Sequence, residues 1–253
     1  MKKILKKEFT QTHLDDCSDI KKLAKEKFNL SPVNNICLIL QKLKVLSNTD
    51  GDYVECGTYR GNTLLPAALY SSSKGYFQKK KLIGVDTFEG FPLTDKHDFR
   101  DIPNYFTVLR SKNLISEEHF NKAKIRTNNF NDLSHLENEY FLDTKEVFEN
   151  CSKFNNIELL KGTFESVLPT FNKKISVLHL DGDLYHSYLT CLNNLYDNVI
   201  NEGAIIFDEY YSCKYPGARV AVDEFFENKK GYFEQYITEE GHERWCFIKQ
   251  ENE

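Results

Sequence analysis

The chain has 253 residues, of which 40% are hydrophobic and 28% charged, a balance typical of a globular protein that builds a large core without disulfides. Its formal net charge of -5 supplies no basic field for a nucleic-acid backbone, so we expect no nucleic-acid partner. The sequence has neither a run of ~20 apolar residues nor a signal peptide, and its 7 cysteines lack CxxC spacing, so we expect a cytoplasmic protein with reduced thiols and no membrane partner.

An N-terminal helical arm is predicted over residues 1–50. Its first part is charged and only weakly periodic. Ile36, Leu40, Leu43 and Leu46 then recur at helical spacing, which indicates an amphipathic helix. A single domain is predicted over the remaining residues, 51–253.

Short apolar runs separated by helix-length segments dominate this domain. Runs this apolar are typical of a sheet covered on both faces, and their alternation with helices favours βαβ units and a parallel sheet. Two further strands are predicted as a C-terminal antiparallel hairpin. The sequence therefore predicts a Rossmann-like α/β fold with a mostly parallel, seven-stranded sheet. The strands are expected at 53–56, 82–86, 157–160, 175–180, 204–207, 233–237 and 244–248.

A polar, aromatic-studded segment over about residues 92–150 interrupts this rhythm. Compact domains rarely hold so long an irregular piece without a functional reason. We interpret it as an insertion that forms a lid over the active site, partly helical around 116–125 and 143–151.

A glycine turn follows the first predicted strand of the domain, with Gly57 and Gly61 at G-x-x-x-G spacing. Such a turn lets backbone N–H groups approach a carboxylate or phosphate, although the spacing is not that of the dinucleotide fingerprint. Asp86 ends the second strand, where an acid either binds both ribose hydroxyls or caps the turn before Phe88. Together, the turn and Asp86 indicate an adenosine-containing ligand.

Four acids follow two other strands: Asp181 and Asp183 after one, Asp208 and Glu209 after the next. Because the carboxyl ends of parallel strands share one edge, we expect these acids to crowd together. Crowded carboxylates repel, and Mg²⁺ or Mn²⁺ is the natural compensation. We assign Asp181, Asp208 and Glu209 as metal ligands and Asp183 as general base; solvated loop acids are the alternative. His179 is expected to be a packed core histidine.

These segments resemble the macrocin O-methyltransferase family, metal-dependent enzymes that include mycinamicin and novobiocin sugar O-methyltransferases. The strings Asp-Thr-Phe-Glu-Gly-Phe-Pro at 86–92 and Asp-Gly-Asp-Leu-Tyr at 181–185 are its most specific features. The resemblance extends from about residue 50 to about 230 and also rests on 54–61, 161–164, 168–169, 178–187, 202–203 and 208–210. It departs from the family pattern at Glu209, where the family has Asp, and in the polar insertion.

The resemblance implies a class I methyltransferase fold that binds S-adenosylmethionine, with Thr163 and Phe164 beside the adenine and Asp181 and Asp183 as catalytic residues. The cofactor-binding residues are then Glu55, Cys56, Gly57, Thr58, Tyr59, Gly61, Thr63, Asp86, Thr87, Phe88, Gly162, Thr163, Phe164 and Asp181. Contacts with the substrate are assigned to Tyr59, Arg60, His186 and Tyr211.

The expected function is S-adenosylmethionine-dependent, divalent-metal-dependent methylation of a hydroxyl on a sugar or nucleotide-linked sugar, in polysaccharide or natural-product biosynthesis. A homodimer is expected at the family level, with the pair Phe225-Phe226 and the N-terminal arm as candidate contact surfaces. Alternatives are methyl transfer to a phosphate, an amide or another small acceptor, a nucleotide-binding oxidoreductase, and a non-catalytic methyltransferase-like scaffold.

Overall fold

A computed structural model describes residues 3–30, 35–77, 79–90, 102–121, 124, 144–211, 215–238 and 242–251. Its strands are β1 (Ile4–Lys7), β2 (Asp52–Cys56), β3 (Leu82–Asp86), β4 (Ile157–Lys161), β5 (Ile175–Leu180), β6 (Val199–Phe207), β7 (Gly231–Ile237) and β8 (Glu243–Lys249). Its helices are α1 (Gln11–Phe28), α2 (Ile36–Val45), α3 (Leu64–Lys74), α4 (Ile102–Ser111), α5 (Thr144–Cys151), the single turn α6 (Phe164–Val167), α7 (Tyr185–Leu195) and α8 (Pro216–Phe226).

The strands form one sheet in the order β1-β7-β8-β6-β5-β2-β3-β4. Only β8 runs antiparallel to its neighbours, β6 and β7, within this sheet. This confirms the predicted mostly parallel sheet with a C-terminal hairpin. The chain order reverses where β2 lies between β3 and β5, and such a switch point opens a crevice at the carboxyl ends of the strands.

Helices cover both faces of the sheet, as the apolar strands predicted. Along β2, Tyr53 joins a core with α1, α2 and α3, whereas Val54 and Cys56 join a core with α7 and α8 on the other face. This alternation follows from the two-residue period of a strand. The result is a three-layer sandwich.

The N-terminal arm is part of this architecture. Helix α1 is capped at its start by Thr10, whose side chain accepts a hydrogen bond from the His13 N–H, and at its end by Asn29 in the left-handed conformation (φ 54°). Its buried face joins the same core as α2 and α3. The arm also contributes β1, which pairs in parallel with β7 and gives the sheet one strand more than the seven predicted. The short sequence Ile-Leu-Lys-Lys carries no clear alternation, so periodicity did not indicate this strand.

The described part of the predicted insertion is helical. Helix α4 and a helical segment at 117–121 pack through a small core of Phe106, Leu109 and Phe120. Arg110 of α4 forms an ion pair with Glu117, with 2.7 Å between its Nε and the Glu117 carboxylate. The rest of the predicted lid, at 92–101, 122–123 and 125–143, lies outside the described residues. None of the helices within the described ranges has both the length and the hydropathy that crossing a membrane requires.

Candidate active site

The glycine turn lies directly against the end of β5, at the switch point of the sheet. The Gly57 N–H donates to the Val85 carbonyl at 2.9 Å, and the Asp181 N–H donates to the Cys56 carbonyl at 2.9 Å. Gly57 has φ +96°, and a Cβ atom at this position would lie only 1.9 Å from the Asp181 carbonyl oxygen. Only glycine permits this approach, so the turn and the first acid of the cluster are in backbone contact.

Two backbone N–H groups hold the Asp86 side chain in place. Its Oδ2 accepts the Tyr59 N–H at 2.8 Å, and its Oδ1 accepts the Phe88 N–H at 2.7 Å. The turn-capping role considered for Asp86 is therefore present. The carboxylate is only half-buried, and its oxygens have further lone pairs with which they can accept hydrogen bonds from a ribose.

Three acids meet at the carboxyl ends of β5 and β6. Ligand oxygens of Asp181, Asp183 and Glu209 all lie within 4.8 Å of one another. Burial raises the pKa of Asp181 and of Glu209 well above ordinary values, and repulsion from the neighbouring acids raises both further. An all-carboxylate group of this kind suits Mg²⁺ or Mn²⁺.

Asp208, the third predicted ligand, is not one of the three acids in this group. Its Oδ1 accepts a hydrogen bond from the Asn35 side-chain amide and lies 3.9 Å from His179 Nε2. Asp208 still contributes the largest repulsion on Asp181 and Glu209, so it lies close to the cluster. The structure thus brings two predicted ligands, Asp181 and Glu209, together with the predicted base, Asp183.

A buried polar layer lies beneath the acids. His179 is fully buried, as expected for a core histidine, with its Nδ1 3.5 Å from Glu55 Oε1 and 3.4 Å from the Tyr53 hydroxyl. Burial raises the pKa of Glu55, while His179 acts to lower it. Ligand atoms of Glu55, His179 and Asp181 form a second group within 4.8 Å. The Glu55 side chain is therefore buried within the fold. The Cys56 side chain is fully buried as well, so Cys56 can reach a cofactor only through its backbone.

The other residues predicted in the glycine turn are mostly buried. Gly61 (φ +76°) donates its N–H to the Thr58 carbonyl at 2.7 Å. The Thr58 and Thr63 side chains are buried, and Thr63 acts to lower the pKa of the Glu55 carboxyl. These residues shape the turn. Tyr59 (φ 47°) connects the turn to the end of β3, because its N–H donates to Asp86.

The predicted adenine side of the crevice lies between β3 and β4. Gly162 donates its N–H to the Asp86 carbonyl at 2.9 Å, and Thr163 caps α6 by accepting the Ser166 N–H at 3.3 Å. The Phe164 ring packs against Gly182, beside the acid cluster. The Thr87 hydroxyl donates to the Gly90 carbonyl at 2.6 Å. The Phe88 ring is buried against Phe148 of α5, with 5.0 Å between ring centroids.

The residues assigned to the substrate are spread along the edge. Arg60 is exposed, with its guanidinium 5.6 Å from the Tyr59 ring, and His186 Nε2 lies 3.3 Å from Glu165 Oε1. The Tyr211 ring meets the ring of His119 in the insertion, edge to face, with 4.6 Å between centroids. The insertion therefore reaches the sheet edge two residues beyond Glu209.

Sequence reasoning missed two side chains at this site, Asn35 and Tyr188. Asn35 immediately precedes α2 and donates to Asp208 from within the predicted arm. The buried Tyr188 hydroxyl lies 2.5 Å from Glu209 Oε2. Neither residue belongs to a motif, so only the fold shows their roles.

Comparison with known proteins places this geometry in context. The family model of macrocin-O-methyltransferase (TylF) matches residues 121–235. The chain is 29% identical over 182 residues to demethyldecarbamoylnovobiocin O-methyltransferase of Streptomyces niveus, covering 71% of the chain and 59% of the relative. It is 25% identical over 181 residues to mycinamicin III 3''-O-methyltransferase of Micromonospora griseorubida, covering 69% and 60%. The chain thus spans about three fifths of these relatives, and the matches confirm the family resemblance.

Solved structures agree on the fold. The O-methyltransferase NovP superposes with a TM-score of 0.58 at 22% identity, covering 86% of this chain and 80% of its own. A calicheamicin methyltransferase superposes with a TM-score of 0.57 at 14% identity, covering 96% and 95%. These likenesses confirm the predicted class I methyltransferase fold.

Proposed function

We propose that this chain, which is related to the macrocin O-methyltransferase family, is an S-adenosylmethionine-dependent O-methyltransferase that uses a divalent cation. The observation that carries the proposal is the backbone contact between Gly57 and Asp181. It joins a turn suited to an adenosine-containing cofactor to a group of three carboxylates in one crevice. An oxidoreductase has no need of such an acid cluster.

The cofactor would lie across the strand ends of β2 and β3. The Gly57–Gly61 turn exposes backbone to the carboxylate end of the cofactor, and the fixed carboxylate of Asp86 would accept the ribose hydroxyls. Thr163 and Phe164 would flank the adenine. Bound S-adenosylmethionine supplies an activated methyl group on its sulfonium. The chain's contribution is alignment, because methyl transfer needs a near-linear approach of the acceptor oxygen.

The acids would hold the cation and take the acceptor's proton. Asp181 and Glu209 are the ligands in this proposal, with Asp208 beside them, and a bound Mg²⁺ or Mn²⁺ supplies charge that lowers the pKa of a nearby hydroxyl. Asp183 is the central residue of a tight turn in which the Leu184 N–H donates to the Gly182 carbonyl at 2.6 Å. From this position the Asp183 carboxylate would receive the proton as general base.

We place the acceptor among sugars or nucleotide-linked sugars, in polysaccharide or natural-product biosynthesis. The relatives' names, which cite novobiocin and mycinamicin, support a natural-product acceptor. A vicinal diol suits a cation held by carboxylates because both oxygens can reach it. The alternatives are methyl transfer to a phosphate or amide, and a scaffold without catalysis.

The decisive experiment is isothermal titration calorimetry with S-adenosylmethionine, with and without Mg²⁺. Wild type should bind, and Asp86→Ala should bind roughly 10–100-fold more weakly, because hydrogen bonds to a charged group contribute about 1.5–3 kcal/mol. The matched control is Asp52→Ala, which removes an aspartate that accepts the Lys81 N–H (2.8 Å) at the opposite end of the same sheet. Equal weakening in both variants would refute the ribose contact, and no binding to wild type would favour the scaffold.

The expected homodimer and cytoplasmic location remain proposals as well. The six cysteines within the described residues are all free thiols, which supports a reducing compartment. Light scattering coupled to gel filtration would test the dimer, and a monomeric mass would refute it.

A further inference from the structure

Tyr188 occupies the centre of the acid-bearing edge. It is the fourth residue of α7 and only 1% exposed. Its hydroxyl lies 2.5 Å from Glu209 Oε2 and 2.8 Å from the Leu180 carbonyl oxygen, and it accepts the Glu209 N–H at 3.2 Å. One phenol oxygen therefore contacts both the backbone and the side chain of the same acid.

These contacts connect the two strand ends that carry the acids. Leu180 is the last residue of β5 and precedes Asp181, while Glu209 follows β6 by two residues. The Leu180 carbonyl also accepts the Asp208 N–H at 3.0 Å, so the two strand ends are bonded here through backbone and phenol together. A shift of Tyr188 would move Asp181 and Glu209 relative to each other.

Glu209 depends on such a contact more than an aspartate would. Its carboxylate ends a side chain with one more rotatable bond, in a position that is only 3% exposed. Holding Oε2 at the phenol leaves Oε1 as the oxygen that can face the other carboxylates. Groups that orient a ligand in this way usually change metal affinity as strongly as the ligands themselves.

We propose that Tyr188 is the positioning residue of the cation site: it fixes the Glu209 carboxylate and sets its distance from Asp181. This inference rests on the proposed cation site. Its role is orientation, because the phenol contacts both the side chain and the backbone N–H of Glu209 as well as the Leu180 carbonyl.

The test is Mn²⁺ binding without cofactor, measured by calorimetry on wild type, Tyr188→Phe, Glu209→Asp and the double variant. Tyr188→Phe should weaken Mn²⁺ binding about 10–100-fold. Glu209→Asp withdraws the carboxylate from the phenol. Adding Tyr188→Phe to Glu209→Asp should therefore weaken Mn²⁺ binding by less than about 3-fold, a coupling that a purely structural tyrosine would not show. The matched control is Tyr70→Phe, which removes another buried phenol hydroxyl, one for which the described residues offer no hydrogen-bond partner.

Each outcome separates this inference from the proposal beneath it. The positioning role alone would be overturned if wild type binds Mn²⁺ and Tyr188→Phe binds it with the same affinity. It would also be overturned if the fold-losses of affinity in Tyr188→Phe and Glu209→Asp multiply fully in the double variant. No Mn²⁺ binding to wild type would overturn the cation site and this inference with it. Thermal unfolding with and without Mn²⁺ separates a loss of stability from a loss of binding: Mn²⁺ should raise the unfolding temperature of Tyr70→Phe as in wild type, and of Tyr188→Phe less.

Discussion

Replacing Gly57 with alanine tests the close approach on which the site is built. The new Cβ would meet the Asp181 carbonyl oxygen at 1.9 Å and the carbonyl carbon at 2.6 Å. Both are backbone atoms at the end of β5, so no side chain can rotate away. The glycine turn and the strand end would have to separate by roughly an ångström to remove the clash.

The magnitude follows from two terms, strain and overpacking. Placing an alanine at φ +96° costs roughly 1–2 kcal/mol, and the backbone clash adds about 1–3 kcal/mol. Gly61→Ala provides the matched control, because its φ of +76° carries the same strain while its Cβ would meet only the Leu65 side chain, at 3.1 Å. The entropy that alanine removes from the unfolded chain is common to both variants and cancels in the comparison.

Urea unfolding of the two variants measures this difference directly. We expect Gly57→Ala to lose about 1–3 kcal/mol more unfolding free energy than Gly61→Ala. Calorimetry should show that S-adenosylmethionine binding is also weaker, since the turn moves away from the crevice. Equal losses within about 0.5 kcal/mol would refute the backbone contact as the structure describes it.

Three further predictions concern other parts of the fold. Cys17 lowers the pKa of the Cys37 thiol below its ordinary value, so iodoacetamide should alkylate Cys37 at a lower pH than an unperturbed thiol, and Cys17→Ala should move the midpoint of alkylation upward; peptide mass spectrometry checks both. Lys42 and Glu234 form a buried ion pair, so Lys42→Met should cost about 3–5 kcal/mol in urea unfolding, and adding Glu234→Leu should recover most of it. Tyr211→Ala removes a ring contact with the insertion, so limited proteolysis within 102–121 should accelerate; an unchanged rate would contradict the docking.

The carboxyl edge of the sheet was predictable because each element of it leaves a local signal. Apolar runs marked the strands, and the rule that parallel strands end at one edge placed Gly57, Asp86 and Asp181 together. Asp181 and Glu209 do meet there, as their positions after β5 and β6 indicated. The runs at 233–237 and 244–248 also predicted the C-terminal hairpin, whose register pairs Phe233 with Phe247.

The remaining features depend on contacts that no local pattern encodes. Asn35 reaches Asp208 across 173 positions of sequence, and Tyr188 reaches Glu209 from helix α7. Both are ordinary polar residues, and only the packing of the helices on the sheet selects them. Asp183 joins Asp181 and Glu209 with a backbone φ of 60°, a conformation that a sequence pattern does not reveal.

The division between these two kinds of feature indicates where the proposed methyltransferase would select its acceptor. The acids sit on strand ends fixed by backbone bonds on both sides, such as the Asp208 N–H to the Leu180 carbonyl, so the chemistry has a rigid support. The insertion reaches this edge from outside the sheet, through the contact of His119 with Tyr211. Covering segments can change without disturbing the sheet, because loops tolerate substitution better than core strands. We therefore expect substrate preference to follow exchanges in the insertion, and cofactor and cation binding to follow the strand ends.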